Sequence, residues 1–213
     1  MENIFNLNKQ MKEESKEEQT QVFFSIKDNL YPYMLVSIRS GCTFFKVESA
    51  TSFKRISSTP LGASTFIGMD KLLYDVKDPT ELLFDSAKGD LTNIDMTVGD
   101  IYGDAQTMEV LGLPPTLLAS SFGKLKDMNQ DQIQSLSWND ICRSLITMML
   151  FNTLTIADIV ARKEGLERVV IIGQHLSVPQ LEQMVEMSFK YNSKKDIYFV
   201  RYASFLSSFG LLC

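Results

Sequence analysis

The chain has 213 residues, 45% hydrophobic and 22% charged, which makes one large domain or two small ones and is enough to bury a core without disulfide or metal staples. Three well-separated cysteines (Cys42, Cys142, Cys213) form no CxxC pair, and His175 is the single histidine, so a disulfide scaffold, a four-thiolate zinc site and most histidine-ligated metal sites are excluded. The net charge of −5 gives no basic excess of the kind a nucleic-acid binder carries, and the apolar runs fall far short of the ~18 residues of a membrane span.

Residues 1–21 read as a polar acidic tail, flexible or partly helical, with Ile4, Phe5 and Leu7 as a small apolar handle. The tail has no apolar core like that of a signal peptide and is too acidic for a transit peptide, which predicts a cytoplasmic chain. The body, 22–213, opens with a short strand at Val22–Ile26. A second strand at Tyr33–Ile38 is mostly apolar and therefore central. The turn Arg39-Ser40-Gly41 leads to near alternation in Thr43–Glu48, predicting a hairpin, and Phe53–Ile56 continues the meander.

A loop through Leu61–Thr65 then enters a helix near Phe66–Tyr74. Pro79 starts a short helix with Asp78 as N-cap, ended by Lys88-Gly89-Asp90, and Gly112-Leu113-Pro114-Pro115 marks a loop. The strongest local signal is a helix over Trp138–Arg162, capped by Ser137 with Asp140 closing a capping box. Its apolar positions, from Ile141 and Leu145 to Ile159 and Val160, predict a mostly buried helix. Beyond it come a buried strand at Arg168–Ile172, a loop through His175, a helix over Pro179–Tyr191, a strand at Ile197–Val200 and a last helix at Ser204–Leu212. This order predicts an α/β fold with a mixed sheet packed by helices.

Six segments in order and spacing resemble the C-terminal half of a eukaryotic-type (type II) pantothenate kinase. They are Tyr31–Gly41, Lys54-Arg55 with Leu61–Thr65, Lys88–Asp95, Asp100–Gly103, Ala119–Gly123 and Arg168–Gly173. The resemblance covers roughly Val22–Leu212. It implies one lobe of the actin/hexokinase/sugar-kinase (ribonuclease H-like) fold, with ATP held between two lobes. It also implies phosphorylation of pantothenate in coenzyme A synthesis, inhibition by acyl-CoA, and dimers formed through this lobe. The half that carries the first phosphate hairpin and the general base should precede Val22. The tail in that place has no glycine and cannot supply that hairpin.

By the same resemblance, Ser40, Thr43 and Arg55 fall on positions that contact pantothenate or the acyl-CoA inhibitor, and Gly41, Gly62, Thr65 and Gly173 fall on the nucleotide loops. Read from the residues alone, the first three are equally turn hydroxyls and a solvated arginine. Three departures from the family pattern stand out. Arg39 replaces a glycine in the hairpin, Ala63 and Ser64 replace two glycines before the helix, and Leu206 and Phe209 stand where the last helix should begin with glycines. The N–H groups and dipole at the start of the helix after Gly62 still make anion binding conceivable.

Asp90 and Asp95 keep the family pattern best and read as fold maintenance. His175 reads as a loop or packing residue, and the cysteines as packing or free thiols. The departures predict a degenerate lobe acting as a non-catalytic binding or structural subunit, joined to protein partners or a second copy through apolar lobe surface. No cofactor or metal is expected unless the family site survives, in which case ATP–Mg or acyl-CoA would bind. Two alternatives remain: half of an active kinase completed by a second chain, and a non-catalytic acyl-CoA sensor.

Overall fold

A computed structural model describes residues 3–6, 23–25, 30–74, 79–103, 112–173, 193 and 195–200. The strands are β1 (Asn3–Asn6), β2 (Phe23–Ser25), β3 (Tyr33–Ile38), β4 (Cys42–Val47), β5 (Phe53–Thr59), β6 (Met96–Thr97), β7 (Leu118–Ser120), β8 (Arg168–Gly173) and β9 (Asp196–Val200). The helices are α1 (Ala63–Leu73), α2 (Pro79–Lys88), α3 (Val98–Tyr102), α4 (Gln130–Gln134) and α5 (Trp138–Lys163). The chain divides into two compact units, Met1–Met69 with Met149–Cys213, and Asp70–Met148.

The first unit is built on a seven-stranded sheet in the order β2-β1-β9-β8-β3-β4-β5. β3 runs parallel to β8, and β8 parallel to β9; the other pairs are antiparallel, so the sheet is mixed, as the element order predicted. The apolar β3 has partners on both sides. Met34, Val36 and Ile38 on β3 and Cys42 and Phe44 on β4 are buried on one face, while Leu35, Ser37, Thr43 and Phe45 lie half-buried on the other. Phe44 is fully buried, worth about 1.5–3 kcal/mol for a side chain of this class. Leu150, Leu154, Ala157 and Ala161 of α5 are buried in the same unit, with Leu166 and the β8 residues Val169–Ile171.

One stretch of the expected tail is ordered as sheet. Asn3–Asn6 pairs with β2 and with β9, Ile4 lying opposite both Phe24 and Val200. Ile4 and Phe5 supply β-forming residues to a sheet edge that would otherwise leave the N–H and C=O groups of β9 unpaired on that side. Residues 7–22 lie outside the described residues. So do Asp78, His175, the helix expected over Pro179–Tyr191, and the last helix with Leu206, Phe209 and Cys213.

The second unit holds α2 to α4, the short β6–β7 pair and two 3-10 turns at Leu91–Asn93 and Gly123–Asp127. Its buried residues include Leu82, Leu83, Ile94, Val98, Leu145 and Ile146. Gly89 ends α2 where the sequence indicated, for a steric reason. A Cβ there would stand 2.0 Å from the Asn139 carbonyl oxygen. The Ser137–Asp140 capping box is not the arrangement found at the start of α5. The Asp140 carboxylate instead accepts the Asp90 N–H at 2.7 Å and the Asn93 side-chain amide at 2.9 Å, tying a sequence-distant loop to the helix. Among the described residues, capping boxes form at Thr97 with Asp100 on α3 and at Asn129 with Gln132 on α4.

By length and composition α5 would also span a membrane, but 56% of its most apolar window is buried inside the protein, the pattern of a core helix.

Candidate functional site

The carboxyl ends of the parallel strands β3 and β8 lie side by side, Ile38 opposite Gly173. Open α/β sheets bind their ligands at such strand ends. The β3–β4 turn, Arg39-Ser40-Gly41, projects from this end, and the loop that starts α1 folds against it. Ala63 donates its N–H to the Arg39 carbonyl at 2.7 Å, and Ser64 donates to the Ser40 carbonyl at 3.3 Å. The Thr65 and Phe66 N–H groups both go to the Gly62 carbonyl. The four N–H groups that a helix start normally leaves open are therefore all satisfied within the protein.

The glycines here serve backbone packing. A Cβ on Gly62 would meet the Gly41 backbone at 2.5–2.6 Å and the Ser40 carbonyl oxygen at 2.6 Å; one on Gly41 would meet the Thr59 carbonyl oxygen at 2.9 Å. Thr65 belongs to the same construction, its hydroxyl donating to the Pro60 carbonyl at 3.1 Å and accepting the Gly62 N–H at 3.3 Å. Ser40, Gly41, Gly62, Thr65 and Gly173 are thus gathered at one end of the sheet. Arg39 and Ser40 are exposed.

Thr43 and Arg55 sit on the half-buried face of the same sheet. Thr43 lies opposite Ser37 of β3 and Ser58 of β5, and Arg55 lies opposite Phe45. The register shifts between Phe44 and Phe45: Phe44 faces Ser57, Phe45 faces Arg55, and Ile56 is left opposite neither. Arg55 and Ser58 consequently share a face, and the guanidinium donates a hydrogen bond to the Ser58 hydroxyl. Ser37, Thr43 and Ser58 form a hydroxyl row across three strands with Arg55 beside it. The hydroxyls of Ser37 and Thr43 have no hydrogen-bond partner among the described residues. Sequence reading missed Ser37 and Ser58. Ser37 was legible in the alternation Tyr33, Leu35, Ser37; Ser58 depends on the bulge, which nothing in the sequence marks.

The carboxylates of the second unit are committed differently. Asp90 caps the first 3-10 turn, accepting the Thr92 N–H at 2.9 Å and hydroxyl at 2.7 Å, and these bonds hold its carboxyl below the usual range. The Asp100 carboxyl is lowered by the Thr97 N–H. The Asp95 side chain is fully buried and accepts the Phe122 N–H at 2.8 Å; burial outweighs that bond and raises its carboxyl. Phe122 is held in the left-handed region at φ 58°, unusual for a bulky residue, and Asp95 secures it there. Burial pushes the Asp70 carboxyl up to about 7 and the Cys42 thiol up to about 12. Among the described residues, no three His, Cys, Asp or Glu side chains converge as a metal site.

The profile of the Fumble family matches residues 1–213. The chain belongs to this family of pantothenate kinases. It is 37% identical over 186 residues to pantothenate kinase 1 of Arabidopsis thaliana, covering 86% of this chain and 48% of the relative. It is 34% identical over 183 residues to the pantothenate kinase of Schizosaccharomyces pombe, covering 84% and 45%. It is also 34% identical over 185 residues to a protein named 4'-phosphopantetheine phosphatase from Mus musculus, covering 85% and 22%. The chain therefore spans less than half the length of each of these curated relatives. Membership in the Fumble family agrees with the resemblance carried by the six segments, and it extends over the opening residues that those segments left out.

Proposed function

We propose that this chain is a non-catalytic, ligand-binding subunit, built as one lobe of the actin/hexokinase/sugar-kinase type and working within an oligomer or larger complex. The observation that carries this reading is the start of α1. Its N–H groups are taken by the Arg39, Ser40 and Gly62 carbonyls, and the backbones of Gly41 and Gly62 are in contact. A phosphate needs open N–H donors and room for close approach, and this turn offers neither. Large apolar side chains exposed in the second unit, with Leu72 at 87% and Phe84 at 53%, support a role in assembly.

A second reading concerns what the lobe binds. The hydroxyl row with Arg55 is suited to a ligand that presents an anionic group beside hydroxyls or amides. Pantothenate and acyl-CoA share that chemistry, and the similarity to proteins named pantothenate kinase supports the choice.

Calorimetry with ATP–Mg, together with light scattering of the purified chain, tests the first reading. No ATP binding and a species larger than a monomer are expected. Micromolar ATP binding would overturn it in favour of half of an active pantothenate kinase that draws its other lobe from a second chain. A monodisperse monomer that captures no partner would remove the assembly role.

A further inference from the structure

The last turn of α1 carries an aspartate where a helix disfavours one. Asp70 stands three residues before the end of the helix at Leu73, where the carbonyl ends of the peptide dipoles repel an anion. Its side chain is fully buried, and its Oδ2 has no hydrogen-bond partner among the described residues. Its Oδ1 faces the Cys142 thiol of α5 at 4.0 Å, a weak contact. The charges around this pair do not help an ionised carboxylate. Lys71, next along α1, is exposed. Arg143, next to Cys142 on α5, interacts with Asp90. Asp85 on α2 adds negative charge beside Cys142 and is paired with Lys88 at 3.0 Å. A lone carboxylate in such a place is costly and takes up a proton instead, in keeping with its rise to about 7.

Four residues on, the same turn meets α5 again. The Tyr74 N–H donates to the Asp70 carbonyl at 2.8 Å, and the Tyr74 ring packs on Trp138 with centroids 4.2 Å apart. Asp70, Tyr74, Cys142 and Trp138 all belong to the second unit. Two contacts thus join the end of α1 to the start of α5. One is aromatic, and the other suits only a neutral side chain.

We propose that the proton on Asp70 is a latch: while it is bound, the last turn of α1 stays closed on the start of α5, and its release to solvent lets the carboxylate swing into water and parts Tyr74 from Trp138. The open turn hydrates the carboxylate and so holds the proton more weakly than the closed one, which links opening to proton release. The same turn carries the exposed Leu72 and Leu73, so the latch sets whether that apolar surface is held in place. The device is local, opening one helical turn while the middle of α5 stays packed.

The test is hydrogen exchange of the full chain, in its native oligomeric state, across pH. Corrected for the intrinsic pH dependence of exchange, the opening constant at the Tyr74 amide should rise roughly twentyfold between about pH 5.5 and about pH 7, and level off above. It should also exceed the opening constant at the Leu154 amide, in the middle of α5, at every pH. Asp70→Asn keeps the shape of the side chain and stays neutral, so it should make opening at Tyr74 independent of pH.

Opening at Tyr74 that ignores pH in the wild type would overturn the latch. So would a rise that persists in Asp70→Asn, which would assign the effect to another group such as His175. Equal opening constants at Tyr74 and Leu154 would mean that the chain opens as a whole, and would also overturn it. If Asp70→Asn fails to fold, NMR of the wild-type Asp70 carboxyl carbon keeps the test decisive: titration near 7 supports the latch, and titration near the ordinary 3.8 overturns it.

Discussion

Two polar regions of the molecule solve opposite problems. Between Asp90 and Asp100 each carboxylate bonds within the protein: Asp90 to Thr92, Asp95 through Oδ1 to Phe122 while its Oδ2 is buried without a partner among the described residues, and Asp100 to Thr97 and Lys124. On the β3–β5 face, Ser37 and Thr43 carry hydroxyls without partners among the described residues, and Arg55 is held by Ser58. Polar groups bonded to backbone within the protein hold loops in place, whereas hydroxyls left open beside a fixed cation are free to meet a ligand. In both regions glycine permits close backbone packing, Gly62 on the hairpin and Gly89 on the start of α5. The contrast therefore lies in the side chains.

The largest expected effect concerns what the regions share. Gly62→Ala and Gly89→Ala each force a Cβ into backbone at 2.6 Å or closer, which cannot give as a side chain tip can. Each should cost about 3 kcal/mol, lowering Tm by roughly 10 °C in thermal melting. A Gly62→Ala chain of normal stability would mean that the hairpin and the helix start are not closed on each other.

Next comes Asp95→Ala, which leaves the half-buried Phe122 N–H unpaired in a left-handed conformation. A loss of about 2–3 kcal/mol in chemical denaturation is expected, with Asp95→Asn milder because its amide oxygen still accepts. Loss of ligand binding at unchanged stability would move Asp95 from scaffold to site and break the comparison.

Asp70 gives a pH signature. Its folded-state carboxyl is raised from 3.8 to about 7, so across that window the folded chain holds a proton that the unfolded chain has released. Stability should therefore fall as pH rises from about 4 to 7. Asp70→Asn should flatten this slope in melts recorded across that range; an unchanged slope would assign it to other groups.

The smallest effect on stability should come from the β3–β5 face. Thr43→Ala and Arg55→Ala should stay within about 0.5 kcal/mol of wild type, since neither fills the core. Both should nevertheless impair binding of acetyl-CoA or pantothenate by calorimetry. A large destabilisation by either would make the face structural.

Much of the fold was legible where burial imposes a period. Alternation marked β3 and β4, the continuous apolar run Val169–Ile172 marked β8, and the wide apolar face marked α5. β1 escaped because four residues amid a charged stretch form a strand only through partners far along the chain. The role of Asp140 escaped for a similar reason: a capping box is a local pattern, and the bonds to Asp90 and Asn93 reach nearly fifty residues back.

At the candidate site, Thr43 and Arg55 were singled out through the family resemblance, but their common face depends on a bulge in a polar edge strand, where hydrophobic patterning sets no register. The departures Arg39, Ala63 and Ser64 were visible as residues. What the sequence could not show is that the Ala63 N–H bonds to the Arg39 carbonyl and the Ser64 N–H to the Ser40 carbonyl.

Backbone amide NMR of the labelled chain, titrated with acetyl-CoA and separately with ATP–Mg, tests the central claim most directly. The account predicts shifts at Ser37, Thr43, Arg55 and Ser58 with acetyl-CoA, and unmoved Ala63 and Ser64 amides with ATP–Mg. Saturable ATP-dependent shifts at Ala63 and Ser64, with a silent β3–β5 face, would contradict it.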